Sequence, residues 1–147
     1  MPKKPTRGDV EKKVAQLQEQ IRKLKLTKQE LKESENRYRA LFKAAAEGII
    51  VADIETKEFK YANPALCKML GYTEKELQGM RVAAVHPRRA LKRVRAEFEA
   101  QARGEKTLAQ NIPCLRKDGK TVYADINTTR AVIDGINHHF LNPLMLI

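Results

Sequence analysis

The apolar residues of this chain follow one period in its first third and another in the remainder. From Asp9 onward they recur every seven residues, in two series that are offset by four. The members of the two series are Val10, Leu17, Leu24, Leu31 and Tyr38, and Val14, Ile21, Lys28, Glu35 and Phe42. This heptad predicts one long helix, with Asp9 as its N-cap. Residues 1–8 are rich in Pro, Lys and Gly, so we expect them to be disordered.

The heptad over residues 9–33 favours a coiled coil. Val14 and Ile21 are β-branched and the other series carries Leu, a combination that stabilises parallel two-stranded coils. Lys28 and Glu35 interrupt the seam and weaken its C-terminal half. The alternative is one amphipathic helix packed on its own domain. That helix would be too long for the following domain to cover, and isolated helices are marginal in water. We therefore expect a homodimer through this helix.

After residue 43 the pattern changes to short strands and short helices, which predicts an α+β domain. The predicted strands are at about 48–53, 59–62, 107–116 and 120–133, and the predicted helices at about 63–70, 73–78 and 88–103. Asp118-Gly119 and Asp134-Gly135 are tight-turn sequences, so the last strands should form a three-stranded antiparallel meander. Pro113 removes a backbone donor from its strand and must therefore lie at an edge or a bulge.

Composition and charge narrow the class of protein. The 147 residues have room for one domain and an appendage, and the net charge is +11, of which +7 lies in residues 1–43. A basic helix can contact nucleic acid, but no helix-turn-helix pattern or interleaved aromatic residues accompany it, so a solvated helix face is favoured. Cys67 and Cys114 lack the spacing of metal ligands, and no signal peptide or transmembrane run is present. We expect a cytoplasmic protein without a metal site.

Several short motifs follow one another between residues 34 and 135. They are Asn63, Leu70-Gly71-Tyr72, Glu76-Leu77, Gly79, His86-Pro87 and Lys117-Asp118-Gly119. Each motif is weak alone, but together they resemble the PAS domain family. The resemblance implies a small antiparallel sheet and short helices around one pocket, in a domain that senses a signal and passes it on. It also implies an ion pair between Glu76 and Lys117.

Two positions bear on the cofactor that such a pocket would hold. The light-sensing LOV members of the family carry a flavin-linking Cys three residues after the Gly that corresponds to Gly79, and Val82 stands there. The oxygen-sensing haem members carry an iron-ligating His early on the long helix, where this chain has Arg93. His86 belongs to a His-Pro step that is common in the family, and we interpret it as structural. The resemblance therefore argues against covalent flavin and against haem, and it leaves the ligand open.

The side chains that we expect to line the pocket come from every predicted element of the domain. They are Ile49, Val51, Tyr61, Leu66, Met69, Leu70, Leu77, Val82, Val94, Phe98, Ile112 and Ile126. The alternative is that these side chains fill a core and leave no cavity, because each void loses packing energy. Aromatic residues make up only 5% of the chain, so the interior should be mostly aliphatic.

The C-terminal residues 136–147 permit two interpretations. With Gly-Ile before the His and Phe two residues after it, they resemble the phosphoacceptor box of sensor histidine kinases. As a helix, the segment would leave His138 free to attack a γ-phosphate and would form one apolar stripe of Ile136, Phe140, Leu144 and Ile147. As a strand, the same residues would complete the meander. The resemblance implies the sensor end of a kinase, truncated where the last strand and the linker of the domain should follow.

These observations together predict a PAS sensor and dimerisation module of two-component signalling, with a kinase or a response regulator as its partner. The chain has no Gly-rich phosphate loop and no metal-binding acidic set, so we expect no kinase activity of its own. The alternative is a phosphotransfer substrate that a complete kinase phosphorylates at His138. A third interpretation is a basic coiled-coil protein whose domain only dimerises.

Overall fold

The computed structural model of the protein describes residues 2–145 and divides into two compact units, with the boundary after Leu41. The first unit consists of most of helix α1, which runs from Arg7 to Ala44. The N-cap predicted at Asp9 is wrong. The Thr6 hydroxyl accepts a hydrogen bond from the Asp9 amide, and the Asp9 carboxylate accepts one from the Thr6 amide. Thr6 therefore caps the helix, with Asp9 as the reciprocal partner three residues later.

No residue of α1 is buried within the described chain. The heptad positions Val14, Leu17, Ile21 and Leu24 expose between 44% and 69% of their surface. An amphipathic helix gains most of its stability by covering such a stripe. The coiled-coil dimer is compatible with this exposure and stays a prediction. Within residues 2–145, no helix combines the length and the apolar character that crossing a bilayer requires.

The second unit is built on one antiparallel sheet, which confirms the predicted α+β class. Its strands are β1 (Ile50–Asp53), β2 (Phe59–Ala62), β3 (Leu108–Leu115), β4 (Thr121–Ile133) and β5 (Ile136–Met145). They lie in the order β2-β1-β5-β4-β3. Both the turn at Asp118-Gly119 and the meander of β3, β4 and β5 are confirmed.

The C-terminal segment is a strand, so the helical interpretation of the tail is wrong for residues 136–145. Strand β5 lies at the centre of the sheet and pairs with β1 on one side and β4 on the other. Asp134 and Gly135 have φ angles of 52° and 75°, and Ile133 pairs directly with Ile136. A two-residue loop with both residues in the left-handed conformation matches the twist of the flanking strands. The turn therefore favours pairing of residues 136–145 with β4. The sheet thus extends beyond residue 135, and Ile147 lies outside the described residues.

The helices pack against one face of the sheet, which we call the inner face. They are α2 (Pro64–Leu70), α3 (Glu74–Leu77) and α4 (Leu91–Ala102), with 3₁₀ turns at Val82–Val85 and Arg88–Ala90 before α4. Apolar residues of β1, β4 and β5 and of all these helices form one buried cluster. The core therefore lies between the inner face and the helical layer.

Strand β3 forms one edge of the sheet, as the proline within it requires. Pro113 lies on this edge strand, and the register against β4 shifts between Ala109 and Ile112. Asn111 within the shift has a φ of 52°. An extra residue in left-handed conformation is typical of one class of β-bulge, the G1 type. The prediction that Pro113 would lie at an edge or a bulge is confirmed.

Candidate functional site

A cavity of about 60 Å³ lies in the core between the inner face and the helices. Its wall is almost entirely apolar and draws on strands β1, β3, β4 and β5 and on helices α2 and α4. Leu66 of α2 and Phe98 of α4 line it from the helical layer, and Leu141 and Pro143 contribute from the central strand. The interior thus keeps a small void where a fully packed core was the alternative.

Eight of the predicted pocket residues line this cavity. Each of them comes from a helix, a 3₁₀ turn or the strands β3 and β4: Leu66, Met69, Leu70, Val82, Val94, Phe98, Ile112 and Ile126. Their role as ligand contacts stays a prediction. Three of them, Leu66, Met69 and Leu70, belong to α2, whose start is fixed by the Asn63 cap.

Four predicted lining residues lie elsewhere. In β1 the inner residues are Ile50 and Ala52, so Val51 is buried on the opposite, outer face, and Ile49 is not in the cavity wall. A shift of one residue moves every side chain of a strand to the other face. Tyr61 is 47% exposed on the outer face, where it pairs with Val51 beyond a bulge. Leu77 is fully buried in the core but does not reach the cavity.

Four polar residues that the sequence did not assign to the pocket line the cavity: His86, Glu97, Gln101 and Cys114. His86 places Nδ1 2.7 Å from the Pro113 carbonyl oxygen, which can only accept, so Nδ1 carries the proton. Burial lowers the pKa of His86 and keeps the ring neutral. Burial also raises the pKa of the Cys114 thiol to about 12, so this sulfur is not an activated nucleophile. His86 thus ties the segment before α4 to the edge strand, which agrees with its structural interpretation.

The most unusual polar group of the core is His139 on β5. Its side chain is fully buried on the inner face, and its ring centroid lies 4.7 Å from that of Phe98. Neither ring nitrogen has a hydrogen-bond partner among the described residues, and the hydroxyl of Thr128 on β4 is likewise buried and unpartnered. Burial, assisted by the charge of Arg130, lowers the pKa of His139. Strand alternation counted from the Asp134-Gly135 turn could have identified this inward position.

His138, the predicted phosphoacceptor, faces the opposite way. It lies on the outer face of β5, paired with Asp53 of β1, and only 4% of its surface is exposed. Its Nδ1 is 2.9 Å from the Ile136 carbonyl oxygen. In the histidine kinase helix the imidazole must reach a nucleotide, whereas here the side chain is almost fully buried. The phosphoacceptor hypothesis requires an accessible imidazole, and in this structure the imidazole of His138 is buried.

The ion pair between Glu76 and Lys117 is confirmed. Lys117 Nζ lies 2.5 Å from Glu76 Oε2, so it joins α3 to the β3–β4 hairpin. Both side chains are partly exposed, and such pairs contribute only about 0–1 kcal/mol. The contact positions the hairpin over the helices rather than forming a reactive site.

The chemistry of the cavity favours binding over catalysis. A cavity of about 150 Å³ accommodates benzene, so one of about 60 Å³ is too small for a flavin or a haem. Val82 contributes an aliphatic side chain to the wall at the position where LOV domains need a thiol. Within residues 2–145, no three His, Cys, Asp or Glu side chains are grouped so that they could hold a metal ion. The site is suited to a small, mainly apolar ligand.

Comparisons with known proteins agree with this architecture. A family model described as PAS domain matches residues 36–111. The PAS domain of an HTR-like protein from Haloarcula marismortui is 20% identical with a TM-score of 0.66, over 83% of this chain and 99% of that one. A domain of a sensory box sensor histidine kinase/response regulator from Geobacter sulfurreducens is 22% identical with a TM-score of 0.61, over 76% and 95%. The Rhodobacter sphaeroides LOV protein is 17% identical with a TM-score of 0.66, over 78% and 68%. At these identities the structural likeness establishes the fold.

Proposed function

Because the chain belongs to the PAS domain family, we propose that it is a cytoplasmic, dimeric sensor module of two-component signalling. The observation that carries this proposal is the apolar cavity, which β5, the central strand, helps to line. A ligand there contacts α2, α4 and the centre of the sheet at once. A sensor requires differential contacts between two states, and a cavity shared by several elements offers them. The output partner would be a kinase or a response regulator.

The route by which the cavity would influence α1 runs through Asn63. Leu66 lines the cavity from α2, and Asn63 caps the same helix by accepting from the Leu66 amide. The Asn63 side chain also accepts from the Ile49 amide at 2.8 Å and donates to the Glu47 carbonyl at 2.9 Å. Residues 45–49 connect the end of α1 to β1. A displacement of α2 would therefore act directly on the connection that follows α1.

Filling the cavity tests whether it transmits a signal. Ala109 lines the cavity and is buried, so Ala109→Leu should occupy the void and displace α2 or α4. We expect altered amide hydrogen exchange in residues 34–44 of α1, measured by mass spectrometry on the full chain. Ala84→Leu adds the same carbons at an exposed position and should leave this exchange unchanged. Equal exchange profiles for both variants would refute transmission from the cavity to α1.

The proposed dimer depends on the apolar seam of α1. Leu24→Lys places a charge where two helices would meet, so we expect the protein to become monomeric. Sedimentation equilibrium at tens of micromolar, about the range of modest interfaces, would show this change. Leu26 is the matched control, because it lies two residues away on the opposite face of the helix and is also exposed. Leu26→Lys should remain dimeric, and a monomeric wild-type protein would exclude the coiled coil.

The alternative function, phosphorylation of His138 by a complete kinase, gains no support from the structure. It requires an accessible imidazole, and His138 is buried between Asp53 and the strands on either side. We therefore do not propose a phosphotransfer role.

A further inference from the structure

A groove of about 390 Å³ adjoins the cavity. Val82, Val94 and Phe98 line both spaces and form the wall between them. The wall is therefore only one layer of side chains thick. Because Phe98 lines both spaces, a change of its side-chain rotamer would alter the wall between them.

The rim of the groove is positively charged. Lys57, Arg81 and Arg95 stand around it, with Glu99 as the opposing charge. Lys57 Nζ lies 5.9 Å from the centroid of the Phe98 ring and 3.7 Å from Glu99 Oε1. Within residues 2–145, Arg81 and Arg95 form no salt bridge. An apolar cavity behind a cationic rim is complementary to a ligand with an apolar tail and an anionic head.

The backbone at Lys57 is held in a conformation that its residue type disfavours. Its φ is 61°, in the left-handed region that glycine adopts without cost. Hydrogen bonds fix it there, since its amide donates to the Asp53 carbonyl and its carbonyl accepts from the Val82 amide. Such outliers concentrate at ligand sites. The conformation of Lys57 places its ammonium group over the Phe98 ring, beside the groove.

We propose that the cavity and the groove form one binding site for a short-chain monocarboxylate. The alkyl tail occupies the cavity, and the carboxylate lies at the rim beside Lys57, where it replaces Glu99 as the partner of the ammonium. This inference rests on the proposed sensory function and names the class of its ligand. A void of about 60 Å³ holds about two or three carbons by comparison with the benzene-binding cavity, so isobutyrate is a suitable probe.

Titration of the full-length protein with isobutyrate, followed by amide chemical shifts at constant ionic strength, tests the proposal. A ligand of this size binds in the millimolar range, so the titration extends to about 20 mM. Shifts should be centred on Val82, Val94 and Phe98. The neutral analogue isobutyramide should bind at least about tenfold more weakly, because its amide cannot form a charge-assisted contact with Lys57. Octanoate should bind no better than isobutyrate, because its longer tail exceeds the cavity.

Two charge substitutions at the rim should act in opposite directions. Lys57→Gln removes the ammonium and should weaken isobutyrate binding by about tenfold, the effect of a lost charge-assisted contact. Glu99→Gln removes the competing carboxylate and should strengthen binding by about two- to fivefold, as expected for a partly exposed pair. Lys60→Gln is the matched control, since it removes the same charge from β2 outside the groove and should change nothing.

The outcome separates this proposal from the sensory function. The carboxylate site would be refuted if neither Lys57→Gln nor Glu99→Gln changed the affinity for isobutyrate. It would also be refuted if isobutyramide bound as tightly as isobutyrate. Absence of any saturable shift at about 20 mM would do the same. Charge-dependent binding together with unchanged α1 exchange in Ala109→Leu would leave the binding site standing and refute only the transmission of the signal.

Discussion

Replacing Asn63 by alanine should lower the free energy of unfolding by about 3 kcal/mol. Asn63 is fully buried, and its side-chain oxygen accepts from both the Ile49 and the Leu66 amides. The substitution would remove a helix cap and would also leave buried backbone groups of the connection to β1 without partners. Urea denaturation at neutral pH measures the change. Because the connection joins α1 to β1, hydrogen exchange of residues 45–49 should increase as well.

Thr73 provides the comparison for Asn63, because it also caps a short helix. Thr73 and Glu76 form a reciprocal capping box at the start of α3, but both side chains are exposed. Water can replace the lost partner there, so Thr73→Ala should cost only about 1 kcal/mol. Equal losses for the two variants would show that the hydrogen bonds of Asn63 to Ile49 and Glu47 contribute nothing beyond the cap.

Replacing His139 by phenylalanine should raise the free energy of unfolding by about 2 kcal/mol at neutral pH. Both ring nitrogens of His139 are buried without hydrogen-bond partners, so the folded chain carries their desolvation cost. Phenylalanine keeps a planar ring against Phe98 and has no polar atoms to desolvate. Urea denaturation measures the gain at pH 7.5, about one unit above the ordinary histidine pKa, where the histidines of the unfolded chain are mostly neutral. A loss of stability in this variant would mean that the ring nitrogens have partners after all.

The same substitution should reduce the sensitivity of the fold to acid. Burial lowers the pKa of both His139 and His86 in the folded protein, whereas the unfolded chain has ordinary values near 6.5. As the pH falls below about 6.5, the unfolded chain therefore binds protons that the folded chain does not, and the stability falls by up to about 1.4 kcal/mol per pH unit and group. Between about pH 6.5 and 5, His139→Phe should lose stability about half as steeply as the wild type. Parallel pH profiles would refute the lowered pKa of His139.

Local signals in the sequence were sufficient for most elements of the fold. The Asn63-Pro64 step, the Thr73–Glu76 pair and the Asp134-Gly135 turn each specify backbone geometry through their own side chains or φ preferences. Motifs of this kind act over three or four residues, so their outcome does not depend on the rest of the chain. They determined where α2, α3 and the meander begin and end. The Asn63 cap also fixed the helix that carries Leu66, Met69 and Leu70, three of the eight predicted residues that line the cavity.

The tertiary structure alone decided which face each short strand presents to the core. The four residues of β1 are all buried, so their burial does not distinguish Ile50 on the inner face from Val51 on the outer face. Only pairing with β2 and β5 fixes that choice, since the period of a strand is two and its register is set by its neighbours. For the tail, Ile136, Phe140 and Leu144 recur every four residues, which suits one helix face and one strand face equally. The burial of His138 and His139 on opposite faces, and the left-handed Lys57 beside Phe98, likewise depend on contacts between residues distant in sequence.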